Sequence, residues 1–96
     1  MNEPLNATAA QPAPTLALGP TRPDKLTLWP VEGDRYGVDV VYRGEQGWRR
    51  ANVVHGQLAM AAVASRFLQE VDGSWKVRIG PVGRDEMLTV LNGFVW

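Results

Sequence analysis

The stretch RYGVDVVYR at residues 35–43 decides the fold of this 96-residue chain. Every second position of the stretch is apolar or aromatic, and these positions are Tyr36, Val38, Val40 and Tyr42. Successive side chains of a β-strand point to opposite faces, so this spacing predicts a strand with one buried face and one polar face. Such strands are typical of antiparallel sheets that cover a core on one side and meet water on the other.

Patterns on both sides of this strand predict the remaining elements. Alternating residues predict further strands at residues 25–29, 48–54 and 75–80. Apolar residues at helical spacing predict one helix at 56–71 and a second at 84–92. The resulting order β-β-β-α-β-α predicts an α+β fold, with a small, mostly antiparallel sheet and two helices on one face.

Some of these assignments have alternatives. The strand at 48–54 has an uncertain register, because either set of alternating residues could face inward. Residues 66–79 fit either a helix followed by a strand or a hairpin, since Asp72 and Gly73 would also suit a tight turn. At the end of the last helix, Gly93 is expected to take the left-handed conformation that often stops a helix.

Residues 1–24 have the composition of a disordered tail, which leaves residues 25–96 as a single α+β domain. The tail contains five prolines among alanine, threonine and asparagine, without apolar periodicity. It lacks the basic start and the apolar run of a signal peptide, and no stretch of the chain has the length needed to span a bilayer. We therefore expect a cytoplasmic protein with no membrane partner, and the absence of cysteine is compatible with that compartment.

Residues that usually carry chemistry are sparse. The chain has no cysteine and a single histidine, His55, and no carboxylate stands at a recognised metal-ligand spacing from it. Asp85 and Glu86 are adjacent, so they fit the positive end of a helix better than a paired-carboxylate site. Ser65 and Ser74 lack the glycine-flanked context of a nucleophile elbow. We therefore expect no enzymatic activity, no metal and no cofactor.

A short part of the chain resembles a known family. Residues 75–81, with the sequence WKVRIGP, are followed by Arg84, Asp85, Glu86 and Leu88, and this pattern resembles the second half of a SPOR domain. The resemblance implies a strand that ends in Gly-Pro and leads into a helix, as in that family, which binds denuded peptidoglycan glycans in the cell envelope. The first half of the chain departs from the family's repeat, so no site residue is carried over.

Two classes of function remain. The chain has four tryptophans, which is more than a small core can readily bury, and tryptophan is enriched at binding hot spots. These observations favour a non-enzymatic interaction module that forms a homodimer or docks another protein. The alternative is a protein that binds single-stranded nucleic acid through a basic and aromatic outer sheet face. Because ten basic residues balance ten acidic ones, such binding would need a local patch. The candidate partner-binding residues are Trp29, Trp48, Trp96, Arg35, Arg43, Arg50 and Arg78.

Overall fold

The computed structural model describes residues 16–19 and 22–96 of the chain. Within them the chain forms four strands and two helices, namely β1 (Lys25–Val31), β2 (Arg35–Tyr42), α1 (Gly47–Met60), β3 (Ser65–Gln69), β4 (Trp75–Gly83) and α2 (Arg84–Asn92). The strands make one sheet in the order β1-β2-β4-β3, with each strand antiparallel to its neighbours. The α+β class predicted from the sequence is therefore confirmed. Neither of these helices is long and apolar enough to cross a membrane.

The core lies between one face of the sheet and the two helices. The alternation in β2 is confirmed, because Val38, Val40 and Tyr42 are buried while Arg35 is exposed. The core also contains Val77 and Ile79 from β4, Ala51, Val54 and Leu58 from α1, and Met87 and Val90 from α2. Both helices therefore cover the same face of the sheet, as expected from the sequence.

The segment predicted as a third strand, residues 48–54, is instead the first half of α1. The buried residues of this helix are Gly47, Ala51, Val54 and Leu58, which are three or four positions apart. This period explains the uncertain register of the predicted strand, since neither alternating set of residues was consistently apolar. The element order is consequently β-β-α-β-β-α rather than β-β-β-α-β-α.

Residues 66–79 were open to two assignments, a helix followed by a strand or a hairpin, and they form the hairpin. The helix predicted at 56–71 is therefore correct only as far as Met60 and wrong beyond it. In the turn, the Gly73 N–H donates to the Glu70 carbonyl at 3.0 Å, and the Glu70 N–H donates to the Ser74 carbonyl at 2.8 Å. Gly73 has a φ of 88°, which residues with a side chain rarely adopt. The hairpin places β3 at one edge of the sheet and β4 in its interior.

Just after α1 ends at Met60, one residue has an unusual backbone conformation for a residue with a side chain. Ala62 has a φ of 59°. The Val63 N–H donates to the Leu58 carbonyl at 2.9 Å, and the Ala62 N–H donates to the Ala59 carbonyl at 3.0 Å. This pair of bonds is a Schellman motif, in which glycine usually occupies the left-handed position. The motif turns the chain toward β3 and buries Val63 in the core.

The packed unit begins before Lys25, where the sequence places the start of the domain. Leu18 is fully buried, and its N–H donates to the Gly93 carbonyl at 2.9 Å. Gly93 has right-handed helical angles, φ −79° and ψ −14°, rather than the left-handed ones expected from the sequence. A Cβ at this position would collide with the Leu16 carbonyl oxygen, so the glycine allows two chain segments to approach closely. The domain thus extends at least to Leu16, and the earlier part of the expected tail lies outside the described residues.

Candidate protein-interaction site

The outer face of the sheet, which points away from the helices, carries part of the predicted binding surface. Trp29 and Arg78 occupy outward positions of β1 and β4. The Trp29 ring lies across Gly37 of the neighbouring strand, where a Cβ would overlap the indole. The guanidinium carbon of Arg78 lies 6.0 Å from the centre of the Trp29 ring. The sheet therefore brings one predicted aromatic residue and one predicted basic residue together.

Arg78 is already paired with an acid on this face. Its Nε and Nη2 donate to the two carboxylate oxygens of Asp39 at 2.9 and 3.0 Å, and Lys76 Nζ lies 3.8 Å from the same carboxylate. Partial burial acts to raise the pKa of Asp39, but the hydrogen bonds and charge of Arg78, with the charge of Lys76, outweigh it and lower the pKa. The buried indole N–H of Trp29 has no well-aligned hydrogen-bond acceptor among the described residues, although it lies near enough to Asp39 to contribute to the lower pKa.

The other charges on the outer face have mixed signs. Lys76 Nζ lies 3.0 Å from a Glu70 carboxylate oxygen, so Lys76 bridges two acids. Beside it is a shallow depression of about 170 Å³, lined in part by Asp39, Glu70 and Asp72 and by Lys25, Arg43 and Lys76. A phosphate backbone laid across this face would therefore meet carboxylates as well as cations.

Trp48 and Arg50 lie in α1 on the helix side of the sheet, so the structure does not bring them to the outer face. Trp48 is exposed in the first turn of the helix. Arg50 donates to Asp24 Oδ2 at 3.0 Å and to the Arg22 carbonyl at 2.7 Å, and its guanidinium carbon lies 4.8 Å from the centre of the Tyr42 ring. Arg50 thus holds the chain that enters β1 against the start of α1.

Arg35 is the first residue of β2, and Arg43 directly follows its last residue. Each of them donates a hydrogen bond to another segment of the chain. The Arg43 N–H donates to Asp24 Oδ2 at 2.8 Å, and this bond is the largest cause of a lowered pKa for Asp24, with the charge of Arg50 also acting against burial. Arg35 Nη2 donates to the Pro81 carbonyl at 3.2 Å. Both residues therefore help to hold the fold together.

Trp96 lies beyond the C-terminal end of α2. Its indole N–H donates to the Leu91 carbonyl at 2.9 Å, and its ring centre lies 5.7 Å from that of Phe94. The residue nevertheless remains 61% exposed. Trp96 is therefore held in position while much of its surface is accessible to a partner.

An apolar groove lies between β1 and α2 on the helix side of the sheet. It has a volume of about 210 Å³ and is lined by Leu28, Tyr36, Arg84, Met87, Leu88 and Leu91. We refer to these six residues as the α2–β1 groove. Leu28 is 47% exposed and Leu88 is 51% exposed, so two large aliphatic side chains meet solvent at one place.

The groove exists because the helices cover the sheet incompletely. α1 packs against β2, β3 and β4, whereas α2 packs mainly against β2 and β4. The inward side of β1 is consequently shielded only in part, with Leu26 half-buried and Leu28 exposed. Adjoining exposed apolar residues mark interaction surfaces better than single ones do.

The groove residues were not among the candidates that the sequence indicates. The α2 pattern predicts Met87, Leu88 and Leu91 as one inner stripe, but Met87 and Val90 are the buried residues of this helix. The sequence feature that could have indicated the groove is the width of the apolar surface of α2, because its apolar residues occupy more of the helix circumference than one buried face requires.

His55 and Ser74, two of the residues considered for catalytic roles, each contact a neighbouring side chain. The His55 ring centre lies 5.5 Å from that of Phe67. The Ser74 hydroxyl donates to Asp72 Oδ1 at 2.6 Å within the β3–β4 turn. Across the described part of the chain, no group of three histidine or carboxylate side chains is placed to hold a metal ion.

Comparison with known protein families, with curated proteins and with solved structures found no match for this chain. The order strand, Gly-Pro and helix that resembles a SPOR domain is present in β4 and α2, but no family match accompanies it. Function must therefore be inferred from the surfaces of the molecule.

Proposed function

We propose that this protein is a small, non-enzymatic protein-interaction module and that the α2–β1 groove is its binding surface. The observation that carries the proposal is the adjacency of Leu28 and Leu88, exposed leucines from different elements that line one groove. A partner that covers them removes apolar surface from water, which contributes roughly 25 cal/mol per Å². Met87, which lines the base of the groove, is buried in the core, so the groove is anchored to the packed interior.

Trp96 extends this surface beyond the groove. Leu91 lines the groove, and its carbonyl accepts the indole N–H of Trp96. A partner that fills the groove therefore lies close to an exposed, positioned indole, and tryptophan is the side chain most enriched at binding hot spots. Among the partner-binding residues predicted from the sequence, Trp96 is the one that we assign to the groove.

Single-stranded nucleic acid is the less well-supported partner. Binding of that kind needs cations that can meet phosphates beside rings that can stack on bases. Arg78 is engaged by both carboxylate oxygens of Asp39, and Trp29 is half-buried across Gly37. These contacts compete with phosphates and bases for the same groups.

A cytoplasmic location is part of the proposal, and the cysteine-free composition is compatible with it. The experiment is affinity capture from the native host with the full chain as bait, with half of each sample treated with nuclease. The wild type is compared with Leu88→Glu, which places a charge in the groove, and with Met60→Glu. Met60 is 83% exposed at the end of α1 and provides a matched control for surface charge.

We expect the wild type and Met60→Glu to retain the same nuclease-resistant proteins and Leu88→Glu to lose them. Circular dichroism and thermal unfolding should show that all three proteins are folded. Equal capture by Leu88→Glu and the wild type would overturn the groove as the binding surface. Capture that disappears with nuclease in all three would instead support the nucleic-acid alternative.

A further inference from the structure

We infer that the free edge of β3 pairs with β3 of a second copy of this chain, antiparallel and with Arg66 of each copy opposite Glu70 of the other. The contact joins two four-stranded sheets into one continuous sheet about a two-fold axis. It goes beyond the proposed function, because β3 and β1 form opposite edges of the sheet and the α2–β1 groove lies at the β1 edge. The two surfaces can therefore be tested separately.

The backbone of β3 has hydrogen-bonding groups that point away from the sheet. The Gly80 N–H donates to the Ala64 carbonyl at 2.9 Å and the Glu70 N–H donates to the Ser74 carbonyl at 2.8 Å, so the even-numbered residues of this segment face β4. In an antiparallel ladder the residues between them direct their N–H and C=O groups to the other side. β3 is the last strand of the sheet that the described residues form, so these groups lack a strand partner. The residues that carry them are Ser65, Phe67 and Gln69.

β3 lacks two devices that usually keep an edge strand from pairing. It contains no proline, and its register with β4 runs without a bulge. The other edge strand, β1, contains Pro30, which has no N–H to donate to an added strand. The charged residue of β3, Arg66, opposes any strand that lacks an acid at the facing position. The β3 edge therefore accepts a strand, but only one of suitable charge.

The outer-face side chains of β3 select the partner and its register. Arg66 is exposed, faces Arg78 in β4, and forms no ion pair with another described residue. Glu70 lies four positions later on the same face, with Leu68 half-buried midway between them. Pairing about a two-fold axis next to Leu68 sets Arg66 of each copy directly opposite Glu70 of the other and brings the two leucines together. Opposite charges and apolar residues at facing positions stabilise a strand pair.

The same register satisfies the outward backbone groups. It places Phe67 of each copy opposite Gln69 of the other, and both residues direct their N–H and C=O groups out of the edge. Facing residues of this kind exchange both of their hydrogen bonds. A register shifted by one residue would instead set them against residues whose own groups are used by β4. Charge and backbone therefore favour the same alignment.

The charges around each Arg66–Glu70 contact are balanced. Arg78 is already bonded to two carboxylate oxygens within its own copy, so it adds no free charge. Lys76 lies 3.0 Å from the Glu70 carboxylate that receives Arg66, and Asp72, two positions beyond Glu70, offsets this second cation. The two Arg66 side chains are four positions apart along the strand pair, at about 3.3 Å per residue, so they do not face each other.

α1 presents short side chains toward the second copy. His55 marks the side of the helix that faces β3, since its ring centre lies 5.5 Å from that of Phe67. Asn52 and Ala59 lie about one turn before and after His55 on the same side, and both are exposed. A two-fold axis perpendicular to the sheet keeps the helices of both copies on one face, where these short residues flank the junction.

The test is sedimentation velocity of the full chain over a wide range of protein concentration. We expect a dimer for the wild type and weakening by roughly tenfold or more for Arg66→Glu and for Glu70→Arg, because each change sets like charges opposite each other twice. An equimolar mixture of these two variants should recover the dimer, since both contacts of the mixed pair again join a cation and an anion. Arg49→Glu, the same charge change at an exposed position of α1, should dimerise like the wild type.

The backbone pairing has a separate readout. Amide hydrogen exchange at Phe67 and Gln69 should slow as rising protein concentration forms the dimer. Gln69→Pro removes an N–H that β4 does not use, so it should weaken the dimer while the fold is retained. Circular dichroism and thermal unfolding check that each variant is folded, and the charge variants decide the matter if Gln69→Pro does not fold.

A wild-type protein that stays monomeric at every soluble concentration would overturn the inference. A dimer that resists Arg66→Glu, or a mixture that does not recover it, would do the same. A dimer that is abolished by Leu88→Glu would place the contact at the α2–β1 groove and would also overturn pairing through β3. The proposed function is judged separately, because it stands or falls with the dependence of captured proteins on Leu88.

Discussion

Asp39 and Arg78 are direct cross-strand partners in β2 and β4 and form a two-bond ion pair at the centre of the outer face. The Asp39 side chain is only 14% exposed, so the pair is less screened than an ordinary surface salt bridge. If either partner is removed, the other loses charge-assisted hydrogen bonds in a partly buried place. Part of the stability of the sheet therefore depends on the ionisation of the Asp39 carboxyl group.

Asp39→Asn should lower the free energy of unfolding by on the order of 1 to 2 kcal/mol at neutral pH. The pKa of Asp39 in the folded protein lies below its ordinary value of 3.8, so its stabilising contribution is present above that pH and is lost as the pH falls through the lower folded-state pKa. Urea unfolding as a function of pH should show the two proteins converging below pH 3.8. A difference in unfolding free energy between the two proteins that stays constant as the pH falls would contradict this prediction. Glu45→Gln, at an exposed loop position, serves as the control.

Gly37→Ala should destabilise the protein by about 1 to 3 kcal/mol, because the new methyl group overlaps the Trp29 ring. The effect should shrink when Trp29 is first replaced by Ala, since the space is then free. Denaturant unfolding of the two single variants and the double variant measures this coupling. Additive costs would show that the change acts through the backbone of β2 rather than through the indole.

Leu18→Ala should cost about 2 to 5 kcal/mol, because Leu18 is fully buried and the truncation leaves a cavity. Leu88→Ala removes the same atoms from a residue that is 51% exposed, so in the monomer it should cost much less. Thermal and denaturant unfolding of both variants at low protein concentration provides the comparison. Equal small costs would place the start of the packed unit back at Lys25.

Ala62→Gly should stabilise the protein by on the order of 1 kcal/mol, because Ala62 occupies the left-handed position of the α1 stop with a φ of 59°. Ala59→Gly makes the same chemical change in the last turn of α1, at a residue with helical angles, and should destabilise by up to about 1 kcal/mol. The opposite signs can be read from the denaturant midpoints of the two variants. A loss of stability in Ala62→Gly would mean that other contacts offset the strain at this position.

Elements with a single clear period were predictable from local sequence. The buried face of β2 follows the alternation at residues 35–43, and the strand predicted at 75–80 corresponds to the first part of β4. Residues 48–54 were misassigned because a short segment with few apolar residues fits the period of a strand and that of a helix almost equally. Gly93 was given the wrong role because its close neighbour, Leu16, is far away in sequence.

The sequence by itself determined the α+β class, the apolar faces of the strands, and the scarcity of residues for catalysis. Only the tertiary structure decided that Asp39 neutralises Arg78, 39 positions away, and that the helices leave Leu28 and Leu88 exposed side by side. Both outcomes follow from the strand order β1-β2-β4-β3 and from where the helices lie on the sheet. Local spacing specifies which side of an element is apolar, but the neighbour that covers that side is chosen by packing over the whole chain.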